Sequence, residues 1–313
     1  MPFVSVETVP FFSVFSLMVP ILVVINIHFL GYWLLMRKKA VLQPLVVLLI
    51  SYFFLGSFFQ FGLANNSEDE NDLSILSFNV RGFNKNQWSP DLSIGERIIE
   101  FIDHENPDIL CLQEFSRIRD RKLKKMYRYK YISRSPEAEK TIQAIYSKFP
   151  IVESGALSFN NTANNAIYAD IIYKNDTVRV YNLHLESLKL GRELNTISNE
   201  NSARLYERIT TSFKKQQQQS AIVKTHMNSS NYMKIVCGDF NNTQYSNVYR
   251  TIKGDMLDTF LEEGKNYGRT YSHKFYPLRI DFILVDAVFT VKTHQNFKEK
   301  LSDHFPVKAT VSF

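Results

Sequence analysis

Six segments of this 313-residue chain end or interrupt an apolar run with residues that could do chemistry. Asn79 closes Leu-Ser-Ile-Leu-Ser-Phe-Asn, and Glu114 closes Asp-Ile-Leu-Cys-Leu-Gln-Glu. His184 sits in Val-Tyr-Asn-Leu-His-Leu, and Asp239 and Asn241 follow Lys-Ile-Val-Cys-Gly. Asp281 interrupts Leu-Arg-Ile-Asp-Phe-Ile-Leu-Val, and Asp303 and His304 open Ser-Asp-His-Phe-Pro-Val. Charged groups beside buried strands are costly to desolvate unless they are paired or bound to metal. One such residue is usually a satisfied structural polar group. Six segments of this kind, from distant parts of one chain, describe an enzymatic site gathered at a sheet edge.

The elements that must position these residues are readable from pattern. Strands are expected at Leu73 to Val80, Asp108 to Gln113, Ala144 to Tyr146, Ala166 to Tyr173, Val178 to Leu185, Lys234 to Gly238, Arg279 to Val285 and Val307 to Ser312. Helical spacing covers Ile94 to His104 and a long polar stretch from about Ala203 to His226, which carries the short run Gln216-Gln217-Gln218-Gln219. A cationic helix is expected within Arg117 to Lys130, where eight Lys or Arg accompany one acid, Asp120. That stretch could guide a polyanion or touch lipid headgroups; as a solvated helix face it would pack through Ile118, Leu123 and Met126. Many strands with a few helices between them imply an α/β fold of two sheets packed face to face with helices outside.

In order along the chain, Ser-Phe-Asn-Val-Arg-Gly, Leu-Gln-Glu, His-Leu, Gly-Asp-Phe-Asn, Arg-Ile-Asp-Phe and Ser-Asp-His resemble the signature of the endonuclease/exonuclease/phosphatase superfamily. The resemblance covers Leu73 to Phe313 and implies a four-layer α/β/β/α, DNase I-like sandwich. It also implies a phosphoesterase dependent on Mg²⁺ or Mn²⁺, hard cations that take oxygen ligands and few protein carboxylates. On this resemblance Glu114 is the principal metal ligand, supported by Asn79 and Asp303. Asp239 orients or deprotonates the attacking water, and Asn241 hydrogen-bonds a phosphate oxygen. His304 contacts the phosphate or acts as base, with Asp281 on its other ring nitrogen. His184 matches a second histidine near the scissile phosphate; its alternative is a strand histidine satisfied by a backbone carbonyl. Arg269 and Tyr271, in Gly-Arg-Thr-Tyr, are candidate substrate contacts, although a loop arginine can equally be solvated.

Arg81 stands where several DNA-repair members carry an acid, which argues against a repair role. His-Leu-Glu-Ser at 184–187 is similar to the tyrosyl-DNA phosphodiesterase branch. Nucleic acid is the favoured substrate. The alternatives are a sphingomyelinase-type lipid phosphodiesterase or an inositol-phosphate phosphatase. A catalytically dead scaffold would be expected to lack Glu114, Asp239, Asn241 or His304, and all four are present.

The 45% hydrophobic share is concentrated at the front of the chain. Apolar stretches at about 11–36 and 40–63 flank Arg37-Lys38-Lys39, and each exceeds the ~20 residues needed to cross a membrane. They predict a two-helix transmembrane hairpin over 1–64, then a polar linker at 65–72 and the catalytic domain at 73–313. The first ten residues lack the positive region of a cleaved signal. The positive-inside rule puts the basic turn in the cytoplasm, and so the catalytic domain on the extracytoplasmic (periplasmic or external) side of a multi-pass membrane protein. The net charge of +6 mildly favours anionic partners. Cys111 and Cys237 lie in apolar strand-like runs, which predicts buried free thiols.

Overall fold

In β1 (Leu73–Asn79), Leu73 and Ile75 enter one apolar core while Leu76 and Phe78 enter another. This period-two alternation, repeated in strand after strand, gives both sheets two buried faces. A computed structural model describes residues 2–3, 8, 10–62, 69, 71–133, 141–188, 202–272 and 277–313. The first sheet comprises β1, β2 (Ile109–Phe115), β3 (Tyr129–Ile132), β4 (Ile142–Ser147), β11 (Thr290–Asn296) and β12 (Val307–Ser312), in the order β11-β12-β1-β2-β4-β3. The second comprises β5 (Ile151–Leu157), β6 (Asn165–Tyr173), β7 (Asp176–His184), β8 (Met233–Asp239), β9 (Leu257–Asp258) and β10 (Asp281–Val285), in the order β5-β6-β7-β8-β10-β9. Both sheets are mixed, since β1–β2 and β7–β8 are parallel pairs within otherwise antiparallel ladders.

The inner core joins Ile75, Cys111 and Ile145 of the first sheet to Ile167, Val180 and Cys237 of the second. Helices cover the outer faces. In α3 (Ile94–Glu105), Ile94, Ile98, Ile99 and Ile102 form one buried stripe, and Asn106 ends the helix in the left-handed region. On the second sheet, Val223 and Met227 of α5 (Ser202–Asn228) and Val248 and Ile252 of α6 (Asn247–Lys253) pack on Tyr181, Leu183, Val236 and Phe282. The expected two-sheet α/β arrangement is therefore present. Strands β3, β5, β9 and β11 are not legible as apolar runs; β5, for example, exposes Val152, Glu153 and Ala156 along an edge. Cys111 and Cys237 are buried free thiols.

At the front, α1 (Pro10–Leu35) matches the first expected stretch, and Ser13–Leu35 is long and apolar enough to cross a membrane. Its polar residues bond to the helix's own carbonyls: Asn26 Nδ2 donates to Leu22 O at 2.8 Å, and His28 Nδ1 lies 2.8 Å from Val24 O. The second stretch departs from expectation. After a 3₁₀ turn at Lys39–Val41, α2 spans only Leu42–Leu55, about 21 Å at helical rise against a hydrocarbon core of about 30 Å. Gly56 ends it at φ 82°, ψ 179°. The following residues then turn onto the catalytic domain: Phe58 and Phe59 pack on Tyr267, and Gln60 pairs through its backbone with Asn266. Apolarity alone made this docked segment look like a continuation of the span. Of the expected linker, only Asp69, Asn71 and Asp72 lie within the described residues.

Candidate active site

The same period-two rule that fills the inner core delivers the site. Asn79 shares the parity of Leu73 and Ile75, Asp239 that of Ile235 and Cys237, Asp281 that of Ile283 and Val285, and His184 that of Val178 and Val180. Each is therefore an inner-face position at one end of its strand, and the ends converge at one edge of the sandwich. Just beneath lies an amide layer that joins the two sheets. Gln113 Nε2 donates to Asn182 Oδ1 at 2.7 Å, and Asn182 Nδ2 donates to the carbonyls of Leu112 and Ala144 at 3.0 Å.

Asp239 is the hub. It is 1% exposed and accepts from the Asn241 backbone N–H at 2.8 Å and from Asn79 Nδ2 at 3.1 Å. His304 Nε2 lies 3.5 Å and His184 Nε2 3.8 Å from the same carboxylate. Gly238 makes this approach possible: at φ 130°, an added Cβ would fall 2.1 Å from Leu183 O. Burial pushes the Asp239 carboxyl up to about 6, against the lowering effect of His304. His304 Nδ1 lies 3.0 and 3.1 Å from the two Asp281 oxygens. Burial disfavours its charge, but Asp281 and Asp239 outweigh this and raise it to about 10, so His304 is an imidazolium held between two carboxylates. Tyr271 places its ring 4.9 Å from that of His304.

Asn241 also lies beside Asp239. Its Nδ2 donates to Leu185 O at 2.9 Å and approaches Asp239 Oδ2 at 3.3 Å, so in this geometry it orients Asp239. Thr141 Oγ1 lies 3.2 Å from His184 Nδ1, a side-chain partner in place of a backbone carbonyl.

Glu114 occupies the other side. The β2–β4 register slips between Leu112 and Phe115, and Glu114 adopts φ 47°, uncommon for a residue other than glycine. This bulge re-aims its carboxylate, which lies 3.9 Å from His184 Nε2 and lines a cleft of about 630 Å³. The same cleft is bordered by Arg81, Lys85, Trp88, Arg117 and Ile142. Arg81 stacks over Trp88 at 4.7 Å and pairs with Asp303 at 3.1 Å, so Asp303 meets the site through a cation. Arg269 is not brought in: it is exposed, donates to Tyr271 O and stacks over Phe305. Half of the cations of the Arg117–Lys130 stretch are likewise paired elsewhere. Arg119 and Lys122 pair with Glu96, and Lys124 and Lys130 with Asp120, while Ile118 is 54% exposed instead of packed.

Two places could receive a cation. Among the described residues, ligand atoms of Asp239, Asp281 and His304 lie within 4.8 Å of one another. Both nitrogens of His304 are already turned to carboxylates there, one cation set between two anions. Glu114 instead offers a partly exposed carboxylate to the cleft. Asn79, an oxygen donor, sits on the neighbouring strand in register with Gln113. A carboxylate open to solvent suits Mg²⁺ or Mn²⁺ better than a buried imidazolium pair.

With this geometry in hand, the family model for the Endonuclease/Exonuclease/phosphatase family matches residues 76–304. The chain belongs to the endonuclease/exonuclease/phosphatase family. It is a phosphoesterase, as that family's enzymes are. A second family model, a domain of unknown function, matches residues 1–58. No curated protein matches the chain. Among solved structures, this family member is similar to a humanized D. rerio TDP2 carrying 14 mutations (19% identity, 78% of this chain and 100% of that chain, TM-score 0.58). It is also similar to a Bacteroides thetaiotaomicron mannosyl-6-phosphatase (20%, 77% and 100%, 0.59) and to the human Nocturnin catalytic domain (16%, 80% and 97%, 0.60). At such identities these likenesses establish the fold.

Proposed function

We propose that this phosphoesterase hydrolyses phosphodiester bonds of nucleic acid, with Mg²⁺ or Mn²⁺ held at Glu114 and the neighbouring Asn79. The observation that carries the substrate class is the cleft beside Glu114: three cations, Arg81, Lys85 and Arg117, around an indole, Trp88. Cations along a cleft attract the phosphates of a polyanion, and the Trp88 face away from Arg81 would accept a base by stacking, worth roughly 1–3 kcal/mol per base. A divalent ion at Glu114 would polarise the phosphoryl oxygen and offset developing charge. The chain's own groups supply the rest. Ionised Asp239, fixed by Asn79 and Asn241, orients the attacking water and accepts its proton. His304, kept cationic by Asp281, sets positive charge beside Asp239 that would offset charge developing on the phosphate.

The front of the chain is read as a membrane hairpin. Its helices expose Val24, Ile27, Leu34, Val46, Ile50 and Phe53, and its tip carries Arg37-Lys38-Lys39, which the positive-inside rule assigns to the cytoplasm. A Lys38→Cys variant should react with a membrane-impermeant thiol reagent only after cells are permeabilised; labelling of intact cells would reverse the topology.

One observation favours a second reading, a lipid phosphodiesterase: the hairpin docks on loops at the sheet edge that carries the site. The deciding experiment offers the full chain in lipid nanodiscs, with Mg²⁺, single- and double-stranded DNA, RNA, sphingomyelin, inositol phosphates and a sugar phosphomonoester. EDTA and Glu114→Gln serve as controls. Metal-dependent cleavage of nucleic acid supports the first reading. Cleavage of sphingomyelin alone moves the assignment to lipid, and of a monoester alone to a phosphatase.

A further inference from the structure

Pro20 lies inside α1 and has no N–H, so the carbonyl of Ser16 four residues earlier loses its regular helical donor. An unpaired carbonyl on an apolar helix is costly to bury, yet Ser16 is 1% exposed. Its partner comes from the catalytic domain. Thr243 Oγ1 donates to Ser16 O at 2.9 Å, and Thr243, itself 2% exposed, stands four residues after Asp239.

The neighbouring residues tighten the same junction. Asn242 Oδ1 accepts the Thr243 N–H at 2.9 Å and lies 3.3 Å from the Ser16 hydroxyl. Asn242 Nδ2 donates to Gln216 Oε1 at 2.8 Å. Gln216 Nε2 in turn donates to the carbonyls of Glu186, at 2.7 Å, and Asn241, at 3.1 Å. One buried glutamine of the Gln216–Gln219 run thereby ties the loop after His184 to the loop after Asp239. From the other end of the hairpin, Ser57 O accepts from Gln244 Nε2 at 3.2 Å. Val14 and Leu17 complete the seat against Leu188 and Phe213.

We infer that the N-terminal hairpin is a positioning element of the active site and not only a tether. Thr243, anchored on the carbonyl that Pro20 frees, holds the loop that presents Asp239 and Asn241. This rests on the assignment of Asp239 as the group that handles the attacking water. Thr243, Ser16 and Gln216 act through that loop and touch no reacting atom.

The test uses the full chain in lipid nanodiscs with Mg²⁺, bis(p-nitrophenyl) phosphate as a generic phosphodiester probe, and hydrogen exchange of residues 13–20 and 239–246. Thr243→Val strands the Ser16 carbonyl. It should lower kcat about tenfold, with KM within about twofold of wild type, and accelerate exchange in both segments. Pro20→Ala restores an N–H to the helix, so Pro20→Ala/Thr243→Val should recover at least half of the logarithmic loss. A Thr243→Val chain with wild-type kcat and exchange would overturn the inference. So would a loss that Pro20→Ala leaves unchanged, because the defect would then be local to the loop. Asp239→Asn separates the two claims: if it turns over like wild type, the role of Asp239 fails, while the exchange data still decide the clasp.

Discussion

Around His304, the cation finds its partners within the chain: Asp281 holds one ring nitrogen, Asp239 faces the other, and none of the three is more than 5% exposed. Around Glu114, Arg81 is half-buried and Lys85 and Arg117 are exposed along an open cleft. The buried half acquires its geometry when the sheets pack, since its residues continue the inner faces of β1, β7, β8 and β10. The open half is, in the proposed reading, completed by what binds there, a cation at the carboxylate and an anion along the basic border. Catalytic groups need fixed orientation, whereas substrate groups need access, and one sheet edge supplies both.

Substitutions in the buried half should therefore act on kcat, and those in the open half on metal affinity and KM. Asp239→Asn is the most severe: losing the proton acceptor should cost up to roughly 10⁴-fold in kcat, measured under saturating substrate. Glu114→Gln should lower turnover about 10³-fold, about 4 kcal/mol, with part of the loss recovered by excess Mn²⁺. EDTA should reduce the wild type similarly; full activity in EDTA would break the comparison at its open side.

The pH profile tests the buried side. Asp239 must be ionised and its carboxyl lies at about 6, so kcat/KM should rise through that region. It should fall again toward about 10, where His304 loses its proton. Asp281→Asn removes the carboxylate that does most to raise His304, so the upper limb should move down by at least about one unit. On the open side, Arg117→Ala should raise KM for an oligonucleotide about threefold at low salt, an effect that fades as ionic strength rises.

His294 gives a buried contrast outside the site. Its neighbours Thr259 and Asn296 are neutral, at 2.8 and 3.2 Å, and burial lowers it from 6.5 to about 4. The folded protein therefore resists a proton that the unfolded chain accepts. Stability should hold above about pH 6.5 and decline as pH falls toward 4, by up to about 3 kcal/mol, as followed by urea unfolding. His294→Gln should flatten that decline.

Much of this was legible because strand alternation and the ordered motifs carry information in one dimension. Asn79, Asp239 and Asp281 each end or interrupt an apolar run, which marks them in the sequence as polar groups at strand ends. What escaped depends on partners far away in the chain. The bulge at Glu114 arises from a register slip against β4, and Asn241 spends its amide on Leu185 and Asp239. Arg81 meets Asp303 across more than two hundred residues. Trp88 lies in a polar loop without periodicity, and only the folded chain sets it in the cleft beside Arg81. The end of α2 was misplaced for a similar reason: Phe58 and Phe59 are as apolar as a span, and only the position of Tyr267 reveals what they cover.

The most direct test of the central claim is kcat/KM of the full chain in nanodiscs, with Mg²⁺, on a short single-stranded oligonucleotide against sphingomyelin. The account predicts cleavage of the oligonucleotide that is lost in EDTA and in Asp239→Asn, with sphingomyelin intact. Metal-dependent cleavage of sphingomyelin with the oligonucleotide untouched would contradict it, and would make the docked hairpin part of substrate selection.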